Sequence, residues 1–420
     1  MYLWSMDKSM AIYSTPSAME PLFPEDNSGI LEALALELME KAAKLSGTMN
    51  PLTRVAIADF LRPMNSYYSN LIEGHDTHPI DIDRALKNDF SKDKVKRDLQ
   101  MEAHAHINVL KSISEKFAGD DHEIIPSSIN YIKDIHKKFY DYLPLDFRTV
   151  KSKEGKLQEV IPGEFRTCEV EVGRHIAPHY KNLHLFTERF EDFYNPTATS
   201  NKSKVKRVIS IAASHHRLAW IHPFLDGNGR VVRLFSDSCF MYEHLHSSGL
   251  WSISRGLARS NNDYKSKLAN ADLHRYNDYD GRGNLSNKFL VEFCEYFLKT
   301  AIDQVDFMYD VIDTRNMLKR IEGFVDFMVL RKRMKTEAKY ILTDVFLKGK
   351  ISKSEAMRIT GTSDKTLKTI TDALIEMELL TSKREGISMM YYVKYPIPFS
   401  PMLFPGLYPA DKEVDLLNSF

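Results

Sequence analysis

Residues 222–233 read HPFLDGNGRVVR, and this stretch combines imidazole, carboxylate, amide and guanidinium groups with two glycines. The glycines take positive φ values at little cost, so backbone N–H groups of the loop can converge on one point. A helix that starts directly after such a loop adds its own free N–H groups and the positive end of its dipole. The stretch therefore predicts an anion-binding loop between two helices.

Four side chains of this stretch suit a polyphosphate ligand. Arg230 and Arg233 are three residues apart, so they share one helical face, and guanidinium groups fork onto phosphate oxygens. Asp226 is the candidate ligand for Mg²⁺, which prefers few carboxylates together with phosphate oxygens. His222 can accept a proton from a hydroxyl at neutral pH, because imidazole ordinarily has a pKa of about 6.5. Each side chain alone would more often be structural, but their conjunction favours a functional site.

The stretch resembles the signature of the Fic family, H-x-F-x-[DE]-G-N-G-R-x-x-R, at every fixed position. Residues 162–166 (PGEFR) and 170–175 (VEVGRH) are similar to the flap hairpin of that family. In this resemblance Val170, Val172 and Gly173 would line the flap side, with core packing as the alternative. The likeness extends over roughly residues 50–310.

The resemblance implies a Mg²⁺-dependent protein adenylyltransferase, which moves AMP from ATP to a Ser, Thr or Tyr hydroxyl of a protein, itself included. His222 would deprotonate that hydroxyl, Asp226 would hold Mg²⁺ on the α- and β-phosphates, and Arg233 would reach the γ-phosphate. The flap would pair with an extended segment of the protein substrate through main-chain hydrogen bonds. The other residues expected at the nucleotide are Gly227, Asn228, Gly229, Arg230, Tyr264 and, at a looser spacing, Asn270.

A second motif lies upstream, where residues 69–74 (SNLIEG) resemble the inhibitory motif [ST]-x-x-x-E-[GN] of the same family. Ser69 and Glu73 are four residues apart and share one helical face, while Gly74 suits a helix end. In the family this Glu pairs with the second arginine of the signature, here Arg233, and denies the γ-phosphate its partner. A motif at this place marks the class with an N-terminal inhibitory helix. An ordinary surface carboxylate is the alternative for Glu73.

The last hundred residues have a different pattern. Three short helical segments precede an alternating stretch with a turn at residues 385–386, which is typical of a hairpin. Together they predict a winged helix-turn-helix over residues 320–396. Residues 320–395 hold 15 Lys and Arg against 10 Asp and Glu, an excess of 15 − 10 = +5. DNA binding and a role as a protein-interaction or dimer module both stay open, and so does a homodimer.

The overall composition is that of a folded globular protein, with 43% hydrophobic and 27% charged residues. Lys plus Arg and Asp plus Glu both number 57, which argues against a strongly basic nucleic-acid coat and an acidic disordered chain. The three cysteines make no disulfide framework and no zinc site, which favours a reducing compartment. No apolar run approaches the roughly 20 residues that span a bilayer. We therefore expect a cytoplasmic protein without a membrane anchor.

These features predict a mainly α protein: a Fic-type helical bundle with a short β-hairpin flap, followed by a winged helix-turn-helix domain. We expect Pro63 to kink or interrupt a helix over residues 52–72, and one helix to run from residue 286 to about 335. The expected divisions are a loose N-terminal arm (1–28), a helical region with the inhibitory motif (29–125), a Fic core (126–315), the winged helix-turn-helix (320–396) and a C-terminal tail (397–420).

Two other functions stay open. One is a DNA-binding transcriptional regulator whose Fic core is a sensor. The other is removal of AMP from a modified protein, or transfer of another nucleotide moiety. The intact signature favours an enzyme over the regulator, because a relic would be expected to lose His222 or Asp226. It does not separate AMP transfer from AMP removal, since the phosphate loop and the Mg²⁺ site serve either direction.

Overall fold

The computed structural model describes residues 13–119, 123–151, 155, 157–172, 175–198, 203–246 and 249–418. The protein is mainly helical, which confirms the prediction of a mainly α fold. The helices of the described residues are α1 (Ile30–Ser46), α2 (Pro51–Ile72), α3 (Pro79–Leu86), α4 (Lys94–Lys116), α5 (Ile129–Asp141), α6 (Leu183–Tyr194), α7 (Lys204–Ile221), α8 (Asn228–Tyr242), α9 (Ile253–Arg259), α10 (Asn261–Ala271), α11 (Asn287–Ile312), α12 (Thr314–Leu330), α13 (Ala338–Lys348), α14 (Lys353–Thr360), α15 (Asp364–Glu376), α16 (Ser400–Leu403) and α17 (Ala410–Leu417).

The strands are short and antiparallel. They are β1 (Thr149–Lys151), β2 (Leu157–Glu159), β3 (Glu171–Val172), β4 (His175–Ile176), β5 (Lys350–Ser352), β6 (Leu380–Glu385) and β7 (Ser388–Val393). Strand β1 pairs with β2, β3 with β4, and the C-terminal strands form a sheet in the order β5-β7-β6. The β3–β4 hairpin lies where the flap is predicted.

Helix α2 runs through Pro63 without a gap, so the prediction of an interruption there is wrong. Asn50 caps the helix by accepting a hydrogen bond from Leu52 N, and Pro51 fits the first turn, where its missing N–H is not needed. The residues around Pro63 are buried, and α2 packs against α4 and α9. This packing offsets the roughly 3 kcal/mol that a proline costs inside a helix.

The prediction of a single helix from residue 286 to about 335 is wrong, because the structure has two helices in this range. Asp313 separates α11 from α12, and its backbone leaves the helical region with φ −48° and ψ 129°. Its carboxylate accepts a hydrogen bond from Asn316 N and caps the first turn of α12. A capping aspartate therefore ends one helix and starts the next.

The middle of the chain is built around α7 and α8, which pack against each other and are joined by the short loop that contains the signature. Helix α11 and helix α6 pack on α7, and α5 packs on α8. Trp220, Phe235 and Phe240 are fully buried in this core. The loop after α7 is thus held on a rigid helical base.

The described part of the N-terminal arm is packed, so the expectation of a loose arm is wrong for residues 13–28. Ala18 and Met19 are fully buried. Arg217 Nη2 donates to the Pro21 carbonyl at 2.8 Å, and Arg189 pairs with Glu20 at 2.7 Å. Buried apolar groups, one arginine-bound carbonyl and one arginine–carboxylate pair therefore fix this segment against α6 and α7.

The C-terminal part has the elements expected of a winged helix-turn-helix: α13, α14 and α15, followed by the β6–β7 hairpin. Gly361, between α14 and α15, has a positive φ of 63°. Assignment of this region to that domain type stays a prediction, as do the domain boundaries.

The tail also packs, and it covers one side of α2. Phe404 lies 4.8 Å from Phe60 between ring centroids, and Tyr68 donates to the Leu407 carbonyl at 2.9 Å. Within the described residues no helix is both long and apolar enough to cross a bilayer.

Candidate functional site

The loop between α7 and α8 is shaped by Asn228. Its Oδ1 accepts from Phe224 N at 2.9 Å, and its Nδ2 donates to the Phe224 carbonyl at 2.7 Å. Gly227 has a φ of 77°, and a Cβ at this position would come within 3.2 Å of the Tyr140 ring. The side chain of Asn228 therefore folds the loop, and only backbone groups of residues 227–229 are left to contact an anion.

A carboxylate already lies on this loop. Gly229 is in the first turn of α8, and a Cβ added there would overlap Glu73 Oε1. The first N–H groups of a helix have no partner inside it and carry the positive end of the dipole. The place where the sequence predicts a bound anion is thus next to the side chain of Glu73.

Glu73 and Arg233 form the ion pair that the resemblance implies. Arg233 Nη2 lies 2.6 Å from Glu73 Oε1, and the same nitrogen donates to the Ser69 carbonyl at 2.9 Å. Arg233 Nε donates to Ser69 Oγ, also at 2.9 Å. Gly74 ends the helix with a φ of 90°. All residues predicted for the inhibitory motif therefore lie at the C-terminal end of α2, and two of them bind Arg233.

Glu73 is ionised in this arrangement. Burial acts to raise the pKa of Glu73, but the charge and the hydrogen bond of Arg233, helped by Arg230 and Lys265, lower it below its ordinary value. The Arg233 side chain is 1% exposed, whereas that of Glu73 is 34% exposed. A buried cation is therefore neutralised by a carboxylate that solvent still reaches.

Arg230 is held by residues that the sequence did not indicate. Its Nη2 lies 3.3 Å from Glu102 Oε1 on α4 and 3.3 Å from His75 Nδ1, and its guanidinium lies 5.0 Å from the Phe139 ring centroid. Glu102 also contacts His75, and that hydrogen bond raises the pKa of His75. Glu102 and His75 are 128 and 155 residues from Arg230 along the chain, so no spacing could have revealed them.

Arg230 also has an unsatisfied donor, because its buried Nε has no hydrogen-bond partner among the described residues. Burying a donor without a partner costs about 1–3 kcal/mol. An anion that reaches this nitrogen would offer the missing acceptor, so the observation fits a phosphate ligand.

Asp226 is exposed and has one oriented carboxylate oxygen. Tyr140 donates to Asp226 Oδ2 at 2.6 Å, and His136 Nε2 donates to the Asp226 carbonyl at 3.2 Å. Burial and the charge of Asp226 raise the pKa of Tyr140, so the phenol stays a donor. No three His, Cys, Asp or Glu side chains of the described residues converge as a metal cage. A lone carboxylate fits Mg²⁺, which takes most of its other ligands from phosphate and water.

His222 terminates α7 in the left-handed region, with φ 49° and ψ 59°. Burial, followed by the charges of His175 and Arg166, lowers the pKa of His222 to about 4. The imidazole is therefore neutral at pH 7 and able to accept a proton.

The remaining predicted site residues lie on α10 and on the flap. Tyr264 is 4% exposed, and its hydroxyl is 2.8 Å from His215 Nε2. Asn270 is half-buried at the end of α10. Contact of these residues and of the flap with a nucleotide stays a prediction. On the flap, Val170 accepts a hydrogen bond from Ala177 N, Val172 lies in β3, and Gly173 falls outside the described residues.

Comparison with known proteins gives one family match, in which residues 126–239 match the Fic/DOC family. A 73-residue segment is 38% identical to the protein adenylyltransferase Fic of Drosophila willistoni and 40% identical to that of Drosophila melanogaster. The segment makes up 17% of this chain and spans 14% of the length of those curated relatives.

Solved structures show the same fold. A Fic family protein from Desulfovibrio desulfuricans G20 superposes with a TM-score of 0.51 at 14% identity, over 88% of this chain and 98% of that chain. Fic-1 from C. elegans gives a TM-score of 0.50 at 16% identity, over 69% of this chain and 74% of its own. At these identities the likeness is one of fold alone.

Proposed function

Residues 126–239 match the Fic/DOC family, and from this premise we propose that the protein transfers AMP from ATP to a Ser, Thr or Tyr hydroxyl, with Glu73 as a built-in inhibitor. One observation carries the proposal. The ionised Glu73 carboxylate lies against Gly229 of the anion-binding loop and is 2.6 Å from Arg233 Nη2. A carboxylate and a phosphate compete for such a place, because both are anions that guanidinium groups and helix N-termini bind.

In the reaction, the neutral imidazole of His222 takes the proton of the target hydroxyl. The hydroxyl oxygen forms a bond to the α-phosphorus of ATP, the bond from that phosphorus to the bridging oxygen breaks, and pyrophosphate leaves. Asp226 would hold Mg²⁺, which when bound neutralises phosphate charge. Arg230 and Arg233 bind and orient the phosphates, so that catalysis rests on positioning and charge.

Inhibition follows because Glu73 and the γ-phosphate of ATP would share one partner, Arg233. Ser69 and Glu73 bind Nε and Nη2 of Arg233, so these two donors cannot bind the γ-phosphate at the same time. ATP without that contact loses the orientation that in-line attack needs. Release of Glu73 would return Arg233 to the nucleotide.

The proposed roles of His222 and of the phosphate-binding residues can be separated, because one group acts in the proton transfer and the others bind ATP. In the Glu73→Gly protein, adding His222→Ala should abolish AMP transfer, because the base is lost. It should leave the Kd for Mg·ATP within about threefold, less than 1 kcal/mol, because Arg230, Arg233 and the loop remain. Labelled-AMP incorporation and calorimetric titration of ATP measure the two effects. Loss of ATP binding by a folded double variant would contradict this division of roles. The matched control for Glu73→Gly is Glu376→Gly, because Glu376 also lies at the end of a helix and is exposed.

DNA is a second proposed partner, through α15 and the adjacent strand. Lys365 and Lys368 are exposed on α15, and Lys383 and Arg384 are exposed on β6. Lysine and arginine on a helix and a neighbouring hairpin are the groups that contact DNA phosphates.

A further inference from the structure

Arg166 is a buried cation that binds three carbonyl oxygens. Its side chain is 0% exposed. Nε donates to the His222 carbonyl at 2.9 Å, Nη1 donates to the Cys168 carbonyl at 2.9 Å, and Nη2 donates to the Pro178 carbonyl. Its backbone N–H donates to the Pro223 carbonyl at 2.9 Å.

The three acceptors belong to two parts of the site. Cys168 precedes the β3–β4 hairpin and Pro178 follows it, so one guanidinium joins both ends of the flap. The third acceptor is the carbonyl of His222, the residue that takes the left-handed conformation at the end of α7. A single side chain therefore connects the flap to the backbone of the proposed base.

Charge pairing does not explain why an arginine lies here. The carboxylate of Glu169 is 3.9 Å away and its side chain is 53% exposed. Burial lowers the pKa of Arg166 to about 10, so the site is costly for a cation. The planar fork of an arginine reaches several acceptors in fixed directions, whereas a lysine ammonium is a single point on a flexible stem.

The geometry points to Arg166 as a positioning residue that fixes the flap relative to His222 and so sets the target hydroxyl against the base. This inference rests on the proposed function, because the flap matters only if a target segment binds along it. A displacement of about 1 Å can lower a rate about 100-fold. Loss of the three bonds should therefore reduce kcat for transfer far more than it reduces ATP binding.

The test uses the full chain with Glu73→Gly as parent, and a second copy with His222→Ala as the AMP acceptor. Arg166→Lys is added to the parent, and Arg217→Lys is the matched control. Arg217 is also fully buried and binds a carbonyl, that of Pro21, which is not part of the flap. The measurements are kcat and KM for the acceptor, the Kd for Mg·ATP, and hydrogen exchange of amides 168–172 and 175–177.

We expect Arg166→Lys to lower kcat about tenfold or more, with the Kd for ATP changed less than about twofold and with faster exchange of the flap amides. Arg217→Lys should lower the melting temperature without the selective loss of kcat. An unchanged kcat, an equal loss in both variants, or a Kd that rises in step with the fall in kcat would overturn the inference. If the Glu73→Gly parent transfers no AMP, the proposed function fails and the transfer role of Arg166 falls with it. Amide exchange then still shows whether Arg166 anchors the flap.

Discussion

Arg233 is bound at the C-terminal end of α2 by two different residues, and we expect them to contribute unequally to the proposed inhibition. Glu73 supplies the competing charge, whereas Ser69 supplies two acceptors, its Oγ for Nε and its carbonyl for Nη2. Because the Ser69 carbonyl remains in any variant, loss of the hydroxyl weakens the hold on Arg233 without removing the anion.

Ser69→Ala should therefore raise AMP transfer above that of the wild type but less than Glu73→Gly does. The variant leaves the buried Nε of Arg233 without its partner, which costs about 1–3 kcal/mol. Ser66→Ala is the control, since Ser66 lies one turn earlier on α2, is fully buried and donates to the Ala103 carbonyl instead. Labelled-AMP incorporation compares the two variants, and equal labelling by both would show that Ser69 has no part in inhibition.

The lowered pKa of His222 predicts how the rate of AMP transfer depends on pH. Its pKa is lowered to about 4, so the imidazole stays neutral as the pH falls from 7 to 5. The initial rate of transfer by Glu73→Gly should therefore not decline around pH 6.5, where an exposed histidine would take up a proton. A pH–rate profile between pH 5 and 8 measures this, and an acid limb centred near 6.5 would mean that His222 is less buried than the structure has it.

At the scale of secondary-structure elements, residue types and their spacing predicted the signature loop better than they predicted where the helices begin and end. The signature loop and the end of α2 follow from glycines, caps and spacing, and Gly227 and Gly74 both take the positive φ values expected of them. The continuity of α2 through Pro63 depends on tertiary packing, which no local rule contains. The break between α11 and α12 could have been predicted from the sequence, because Asp313 is a good capping residue in an otherwise apolar periodic run.

Helix α15 and strand β6 carry the DNA prediction. Lys365→Glu with Lys368→Glu should weaken binding of duplex DNA and lower the salt dependence, by about one unit of slope for each phosphate that the protein no longer neutralises. Fluorescence anisotropy against salt concentration measures both quantities. Lys111→Glu, an exposed lysine on α4, is the control. Unchanged affinity in the double variant would exclude α15 as the DNA-binding helix, and absence of any binding by the wild type would remove DNA as a partner.

At the scale of the whole molecule, the proposed nucleotide site is assembled from distant parts of the chain. Arg230 meets Glu102 and His75, while Asp226 meets Tyr140, 86 residues away. These partners have no motif of their own, so the sequence indicated the arginine and the carboxylate but not what orients them. Only the folded chain brings them together.

The buried histidines make overall stability depend on pH. Burial, followed by the charges of Arg233 and Arg230, lowers the pKa of His106 to about 3, and burial lowers the pKa values of His136, His215 and His216. Between their folded pKa values and about 6.5 the unfolded chain binds more protons than the folded chain, so stability falls as the pH drops through this window. His75 acts in the opposite direction, because its pKa is raised.

The melting temperature should therefore be lower at pH 5 than at pH 7. His106→Leu should reduce this difference, because it removes a buried imidazole whose two nitrogens have no partner among the described residues. His184→Leu, at an exposed position, should leave the difference unchanged. Identical pH dependence in all three proteins would contradict the buried, neutral state of His106.

The central claim is that the Glu73–Arg233 pair holds back AMP transfer by the signature loop, and the intact mass of the purified full chain tests it most directly. Wild type and Glu73→Gly are incubated with ATP and Mg²⁺ and then weighed by mass spectrometry. We expect a mass increase of one or more AMP units in Glu73→Gly, with at least about tenfold less in the wild type, a difference of about 1.4 kcal/mol or more in favour of the inhibited state. Equal modification of both proteins would contradict inhibition by Glu73. No modification of either, with ATP still bound, would contradict AMP transfer itself.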